Sequence, residues 1–334
     1  MRTLMKPYIV FFLLVMLLFV ASPAEYAQSV DSVNMRDSGG AAIGIVEGDE
    51  DDDGPDEKMA GSANDSLLAF IPERAWRTQD LTGRELTKEM ATKYPQGKFV
   101  SRNVNNKVWG IGESLVFSVD YGFYKAGTAT MKVLATKEVN GGQCYHIETT
   151  ASSNDFISKF YKVRDVVNSY IDISGLFSRR FEKKLKEGKY KSNRYIDFYH
   201  DRLIALNTKE KYALTEIPIY VQDILSSLYF LRTFDLKVGR EEFIEVYADG
   251  KVYPLKVIVH RREKITVPAG KFQCLVVEPI LKSEGIFKQK GKLMVWLTDD
   301  ERKIPVKMTS KILIGSIGTN LESYTLSNQI SEKL

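Results

Sequence analysis

From Val108 onward the chain repeats one pattern, and that repetition limits what it can fold into. Leu115 to Tyr121 alternates as LVFSVDY and Gly127 to Val139 as GTATMKVLATKEV; QCYHIETT, VVNSYIDI and YIDFY read the same way. The last third is denser still, with EEFIEVYA, KVYPLKVIVH, KFQCLVVEPIL, GKLMVWLT, KIPVKMTSKIL and TNLESYTLS in succession. Each run is rich in β-branched or aromatic residues, which suit a pleated, half-buried surface, and each is bounded by Gly, Asn, Asp or Ser. Asn140-Gly141-Gly142, Asp249-Gly250 and Gly315 to Gly318 are hairpin signals, because tight hairpins need residues that tolerate positive φ. About a dozen strands at a spacing of roughly 8–12 residues predict an all-β domain: an antiparallel, strongly curled sheet or barrel.

One segment departs from the alternation. IYVQDILSSLYFLRTF, Ile219 to Phe234, is apolar at Val221, Ile224, Leu225, Leu228 and Leu231. That is the stripe of an amphipathic helix, with Pro218 placed to start it. A curled sheet needs a cover for its concave face, so the segment is read as a plug over Val221 to Thr233, the alternative being a lid over a ligand cavity. Asp223, Leu228 and Arg232 are its marker residues.

The amino-terminal part has a different character. Arg2 and Lys6 precede an apolar run from Tyr8 to Val20, and Ser22, Pro23 and Ala24 supply a small-residue exit. A run shorter than the roughly 20 residues of a bilayer span reads as a signal peptide over 1–24, removed on export. No cysteine follows it to carry a lipid, and no transmembrane segment remains after removal, so the expected location is a soluble periplasmic one. Residues 25–65 carry the acidic block EGDEDDDGPDE and no periodic apolar positions, which predicts a disordered linker. Residues 66–98 are read as a short helical lead-in and 99–329 as the β domain. The domain is basic: the whole chain carries +4, but the part from Lys98 onward about +11. That balance favours anionic partners in the envelope, a lipid or an acidic polymer. An exported protein makes nucleic acid a poor partner.

The segment holding Gln222, Asp223, Ser226, Tyr229 and Arg232 resembles a signature of the exported bacterial family known as domain of unknown function 3108. So does GESLVFSVDYGFYKAGTATMKV, with Gly112, Glu113, Tyr121, Ala126 and Gly127, and so do VPAGKFQC and LMVWLTDDERKIPVKM. The resemblance spans about Gly110 to Leu326. It implies an extracytoplasmic β-rich domain and no established reaction. The hairpin Trp296 to Pro305 also looks like one in outer-membrane lipoprotein carriers, which implies a half-barrel around acyl chains.

Motifs that carry chemistry are sparse. His146, His200 and His260 fall in separate strands, and no His-x-x-x-His, Cys/His cluster, Gly-x-Ser-x-Gly or Ser-x-x-Lys occurs. The reading is therefore of a non-enzymatic protein with no catalytic residue, metal or cofactor. Asp120 with Glu148 and Asp223 with Arg232 are the nearest candidates for acid/base pairs. Cys144 and Cys274 either form a disulfide, which export permits, or stay as buried thiols; their separation decides. RRFEKKLKEGKYKSNR, from Arg179 to Arg194, is the densest basic stretch and reads as a solvated hairpin arm or an electrostatic landing patch through Lys183, Lys184, Lys186 and Arg194. Phe117, Tyr121, Phe160, Phe198 and Trp296 are aromatics that could face a ligand or form plain core. Two functions follow: a binding or carrier module for a lipid or other anionic amphiphile, or a scaffold contacting another envelope protein in envelope assembly.

Overall fold

The computed structural model describes residues 88–207, 213–281, 293–311 and 316–327. The segments read from the sequence as a signal peptide, an acidic linker and the lead-in before residue 88 lie outside the described residues. Of the lead-in, the helix α1 (Lys88–Lys93) is seen. Fourteen strands follow: β1 (Ser114–Tyr121), β2 (Tyr124–Val139), β3 (Gly142–Ser153), β4 (Arg164–Asp172), β5 (Ser178–Glu187), β6 (Tyr190–Tyr199), β7 (Ile204–Asn207), β8 (Ala213–Glu216), β9 (Glu241–Ala248), β10 (Lys251–Val267), β11 (Gly270–Leu281), β12 (Leu293–Thr298), β13 (Pro305–Lys311) and β14 (Ser316–Thr325). Two further helices interrupt them, α2 (Asp155–Ser158) and α3 (Ile224–Leu231).

All fourteen strands form one antiparallel sheet in the order β8-β7-β6-β5-β4-β3-β2-β1-β14-β13-β12-β11-β10-β9. Consecutive strands pair throughout except β8 with β9, and the first and last strands, β1 and β14, pair with each other to join the two halves. The sheet is not closed, and β8 and β9 are its edges. Register shifts at Val116/Phe117, Val133/Thr136, Tyr170/Ile171 and Val259/Arg261 are bulges, each adding local twist and curl. Asn140 and Gly141 both have positive φ, as do Asp249 and Gly250, so both hairpin signals are observed as turns. Gly315 is outside the described residues, and Gly318 lies within β14 rather than in a turn.

The seam is covered instead of left bare. The chain leaving β8 crosses to the far edge, where Gln222 makes a parallel bridge to Val246: its N–H donates to Glu245 O at 2.9 Å and its carbonyl accepts from Tyr247 N at 2.8 Å. Val221 O meanwhile accepts from Ser178 N, the first residue of β5. Thr215 of β8 donates to Gly250 O, and Arg194 of β6 pairs with Asp249 at 3.1 Å. A strand edge satisfied in this way no longer offers a template for another chain.

Residues 97–109 cross one end of the sheet. Gly97 N–H donates to Asp201 O, Arg102 reaches Gly175 O and Leu176 O, and Val104 N–H meets Ser174 O. The segment ends by inserting Trp109, whose Nε1 donates to Tyr229 O of α3 at 2.8 Å. The core lies between this helix and the concave face, with Leu115, Phe117, Val167, Ile171, Phe198, Val246, Val257 and Leu297 all buried.

Candidate functional site

The helix across the concave face is shorter than the periodicity predicts. Val221 and Gln222 are extended and paired with β5 and β9, so the helix starts at Ile224 with Asp223, not Pro218, as its cap. The Asp223 carboxylate is buried. Its Oδ1 accepts from Leu225 N and Ser226 N at 2.8 Å each, and Oδ2 accepts from Ser169 Oγ at 2.6 Å and Ser178 Oγ at 2.5 Å. Ser226 Oγ accepts from Asp223 N–H and completes a capping box. Burial raises the Asp223 carboxyl above the ordinary carboxylate range against these four donors.

At the other end, Arg232 is buried and binds Glu113 with two parallel bonds of 2.7 Å, while its Nε reaches Arg302 O at 3.1 Å. Tyr229 lies with its ring 5.2 Å from the guanidinium. Asp223 and Arg232 are therefore two separate anchors, on β4–β5 and on Glu113, and do not form an acid/base pair. Asp120 likewise bonds Ser118 and Asn320.

Pinned so, the helix turns Tyr229 towards Trp109, the rings in edge contact at 4.9 Å. Its other face looks over β10–β13 across a gap. Ile224, Leu225, Ser227, Leu228 and Leu231 line one side of a cavity of about 70 Å³; Leu255, Val257, Val277, Pro279, Val295 and Met308 line the other. Only the Ser227 hydroxyl is polar in that set, and it donates to Ile224 O. Ile224 and Leu228 are half-buried, so the stripe expected to be fully covered is partly open at the cavity. An apolar cavity of this kind does not hold water well, and a dry one binds apolar groups.

The side chains singled out from sequence lie elsewhere. Phe117 is buried core, and Tyr121 is half-buried at the end of β1. Phe160 is 77% exposed and is not among the residues lining this cavity. Trp296 is next to Val295 and so on the opposite face from the cavity, with the Lys307 ammonium 5.2 Å from its ring. The expected basic patch is split by strand alternation: Lys184 and Lys186 are exposed, while Lys183 and Arg194 are buried and face each other across β5–β6. Arg194 is held by Asp249, and Asp165, on whose carboxyl Lys183 acts, lies nearby. The solvated-arm reading thus fails for these two, because a strand turns alternate residues inward whatever their charge.

Cys144 and Cys274 are free and buried, on β3 and β11 with five strands between them, so the disulfide alternative falls away. Burial pushes both thiols up to about 12. Each histidine has a structural partner: His146 Nε2 with Asn168, His260 Nε2 with Glu278, and His200 Nε2 donating to Ser178 O while Nδ1 accepts from Tyr220 N–H. Among the described residues no three His, Cys, Asp or Glu side chains gather as a metal group, and no helix is long and apolar enough to cross a membrane.

The family described as "Protein of unknown function (DUF3108)" matches residues 116–322. No curated protein matches the sequence. Among solved structures, the chain is similar to a β-barrel-like protein of domain of unknown function 1849 from Brucella abortus, at 11% identity and a TM-score of 0.48, covering 66% of this chain and 100% of that one. It is also similar to a protein described as a lipoprotein from Parabacteroides distasonis, at 13% identity and a TM-score of 0.32, covering 68% and 100%. A third, described as an exported protein from Bacteroides fragilis, has 12% identity and a TM-score of 0.25, covering 68% and 99%.

Proposed function

We propose that this chain, which belongs to the family of domain of unknown function 3108, is an exported, non-catalytic binding module of the periplasm that takes the apolar tail of an amphiphile into the cleft between α3 and β10–β13. The observation that carries the reading is the cleft itself, apolar on both walls and opened by half-buried Ile224 and Leu228. A helix covering a sheet only to complete a core would bury that stripe. The volume sets the kind of ligand. About 70 Å³ is half of the roughly 150 Å³ that accepts a benzene ring, so the cleft takes the end of one acyl chain and not a whole lipid. An anionic head group suits a domain of net positive charge.

Native mass spectrometry of the purified protein tests this. The expected result is a lipid-sized adduct on the wild type, weakened in Val295→Phe, which fills the cleft from β12, and in Leu228→Trp, which blocks it from the helix. No adduct after exposure to phosphatidylglycerol, or equal adducts in all three proteins, refutes the cleft as a ligand site.

A further inference from the structure

The turns at one end of the sheet carry four aromatic side chains that the fold does not use. β1 and β2 are joined by the two residues Gly122 and Phe123, with Tyr121 opposite Tyr124. Gly122 has φ +60, as the first position of such a turn requires, but nothing in the turn asks for an aromatic at 123. Phe123 is 103% exposed and Tyr124 79%. Beside them, α2 and the residue pair after it present Phe156 at 67% and Phe160 at 77%, with the two rings in edge contact at 5.7 Å.

These tips are held together by specific bonds. Asn154 caps α2 through Ile157 N, while its Nδ2 donates to Lys125 O at 2.7 Å and its backbone N–H to Ala126 O at 2.9 Å. Ser153 Oγ, bonded to Ser158 Oγ at 2.7 Å, accepts from Val163 N–H. The β5–β6 turn joins the same rim, since Gly188 N–H donates to Lys162 O at 2.8 Å. Around the aromatics stand exposed Lys159, Lys162, Lys189 and Lys191. Of the acidic groups at this end, Asp155 is exposed on α2, Glu322 is paired with Lys125 at 2.5 Å, Asp120 bonds Ser118 and Asn320, and Asp165 and Glu187 are buried.

We propose that this rim docks the protein on the surface of an anionic membrane, with Phe123, Tyr124, Phe156 and Phe160 entering the interface and the four lysines facing the head groups. The occupant follows from the chemistry. Aromatic rings with a basic surround are what an interface of apolar tails and negative head groups accepts. A folded protein partner would need a continuous surface, and these side chains stand on three separate turns. The inference does not rest on the cleft, though the two share an end of the sheet. Tyr121 pairs with Ile317, Ile317 with Ser310 and Ser310 with Leu293, so register carries that end round to the start of β12, beside Val295.

A dye sensitive to polarity, attached to Phe123→Cys, reads the docking at the site, because Cys144 and Cys274 are buried and do not compete for label. The same dye on Glu301→Cys, exposed in the turn before β13 at the opposite end, serves as control. With phosphatidylglycerol vesicles at low salt the emission at 123 is expected to shift to the blue and that at 301 to stay. Phosphatidylcholine vesicles are expected to give little shift. The pair Phe156→Ser and Phe160→Ser should weaken vesicle affinity tenfold or more at any salt. Each of Lys159→Gln and Lys189→Gln should weaken it about fivefold at low salt only. No shift at 123, an equal shift at both ends, or undiminished affinity in the double serine variant overturns the proposal.

Discussion

Removing Glu113 should be among the most damaging single changes in the domain. Its carboxylate takes both terminal nitrogens of Arg232 at 2.7 Å in a site without solvent. After Glu113→Ala the guanidinium keeps the Arg302 carbonyl and the Tyr229 ring but loses its carboxylate, and it cannot shed its proton, so a charge without its bidentate partner stays buried. Breaking such a pair from one side costs about 3–5 kcal/mol. With a urea slope near 3 kcal/mol per M, the unfolding midpoint falls by about 1 M or more. The converse change behaves differently. Arg232→Met strands a carboxyl group, which can take up a proton, so its penalty should shrink as pH falls while that of Glu113→Ala should not. Replacing both, Glu113→Leu with Arg232→Met, leaves no charge and should cost less than either single change. Urea unfolding of the four proteins at pH 5 and pH 8 decides it. A loss under about 1 kcal/mol in Glu113→Ala, or a double variant as unstable as the sum of the singles, would refute the account of Arg232 as a fixed anchor.

Leu225 is buried and Leu228 half-buried at the cleft, so Leu225→Ala should cost about 2–5 kcal/mol in thermal or urea unfolding and Leu228→Ala clearly less; equal losses would mean the cleft is closed in solution. Asp165 and His200 should oppose each other in acid. Burial raises the Asp165 carboxyl from 3.8 to about 6 and lowers the His200 imidazole from 6.5 to about 4. The Asp165 contribution is complete below pH 3.8 and lost as pH rises to about 6, whereas that of His200 is complete above 6.5 and lost as pH falls to about 4. Asp165→Asn should therefore make the urea midpoint drop more steeply between pH 6 and pH 4 than in the wild type, and parallel profiles would contradict these environments. Both thiols should react with a thiol reagent only on unfolding, two per chain; a value of zero in denaturant without reductant would reveal a bridge.

Strand alternation made the sheet legible, because a period of two survives in LVFSVDY and KVYPLKVIVH whatever the tertiary context. The same rule was hidden in RRFEKKLKEGKYKSNR. There charge masks the period: Lys183 and Arg194 read as solvated, yet they are cross-strand neighbours turned inward. Like charges directly opposite are unfavourable, and what offsets them, Asp249 on the β9–β10 turn and Asp165 on β4, comes from remote parts of the chain. The apolar stripe predicts the helix but misplaces its start, because Val221 continues the stripe while the backbone bonds of Val221 and Gln222 go to β5 and β9. The cleft walls were invisible for a related reason. Val257, Val277 and Val295 look like any inner-face strand residues, and the placing of α3 against β4 and β9 leaves a gap in front of them.

That placing also bears on whether α3 is a plug or a lid. A lid must leave its seat at a cost small enough to be met by ligand binding. For α3 to swing with its cap, Asp223 would give up its two bonds to Ser169 and Ser178, Arg232 its bidentate partner, and Trp109 its bond to Tyr229 O. At about 1 kcal/mol for each neutral bond and more for the charged pair, the sum approaches the whole stability of an ordinary domain. The helix is therefore a fixed wall, and any ligand must fit the gap as built or move the side chains of Ile224 and Leu228 at its mouth. The proposed binding in the cleft and the proposed docking at the aromatic rim are then separable. Val295→Phe should remove the adduct and leave the dye at 123 responsive to vesicles, while Phe156→Ser with Phe160→Ser should do the reverse. Loss of both in either variant would show that the two surfaces act as one site.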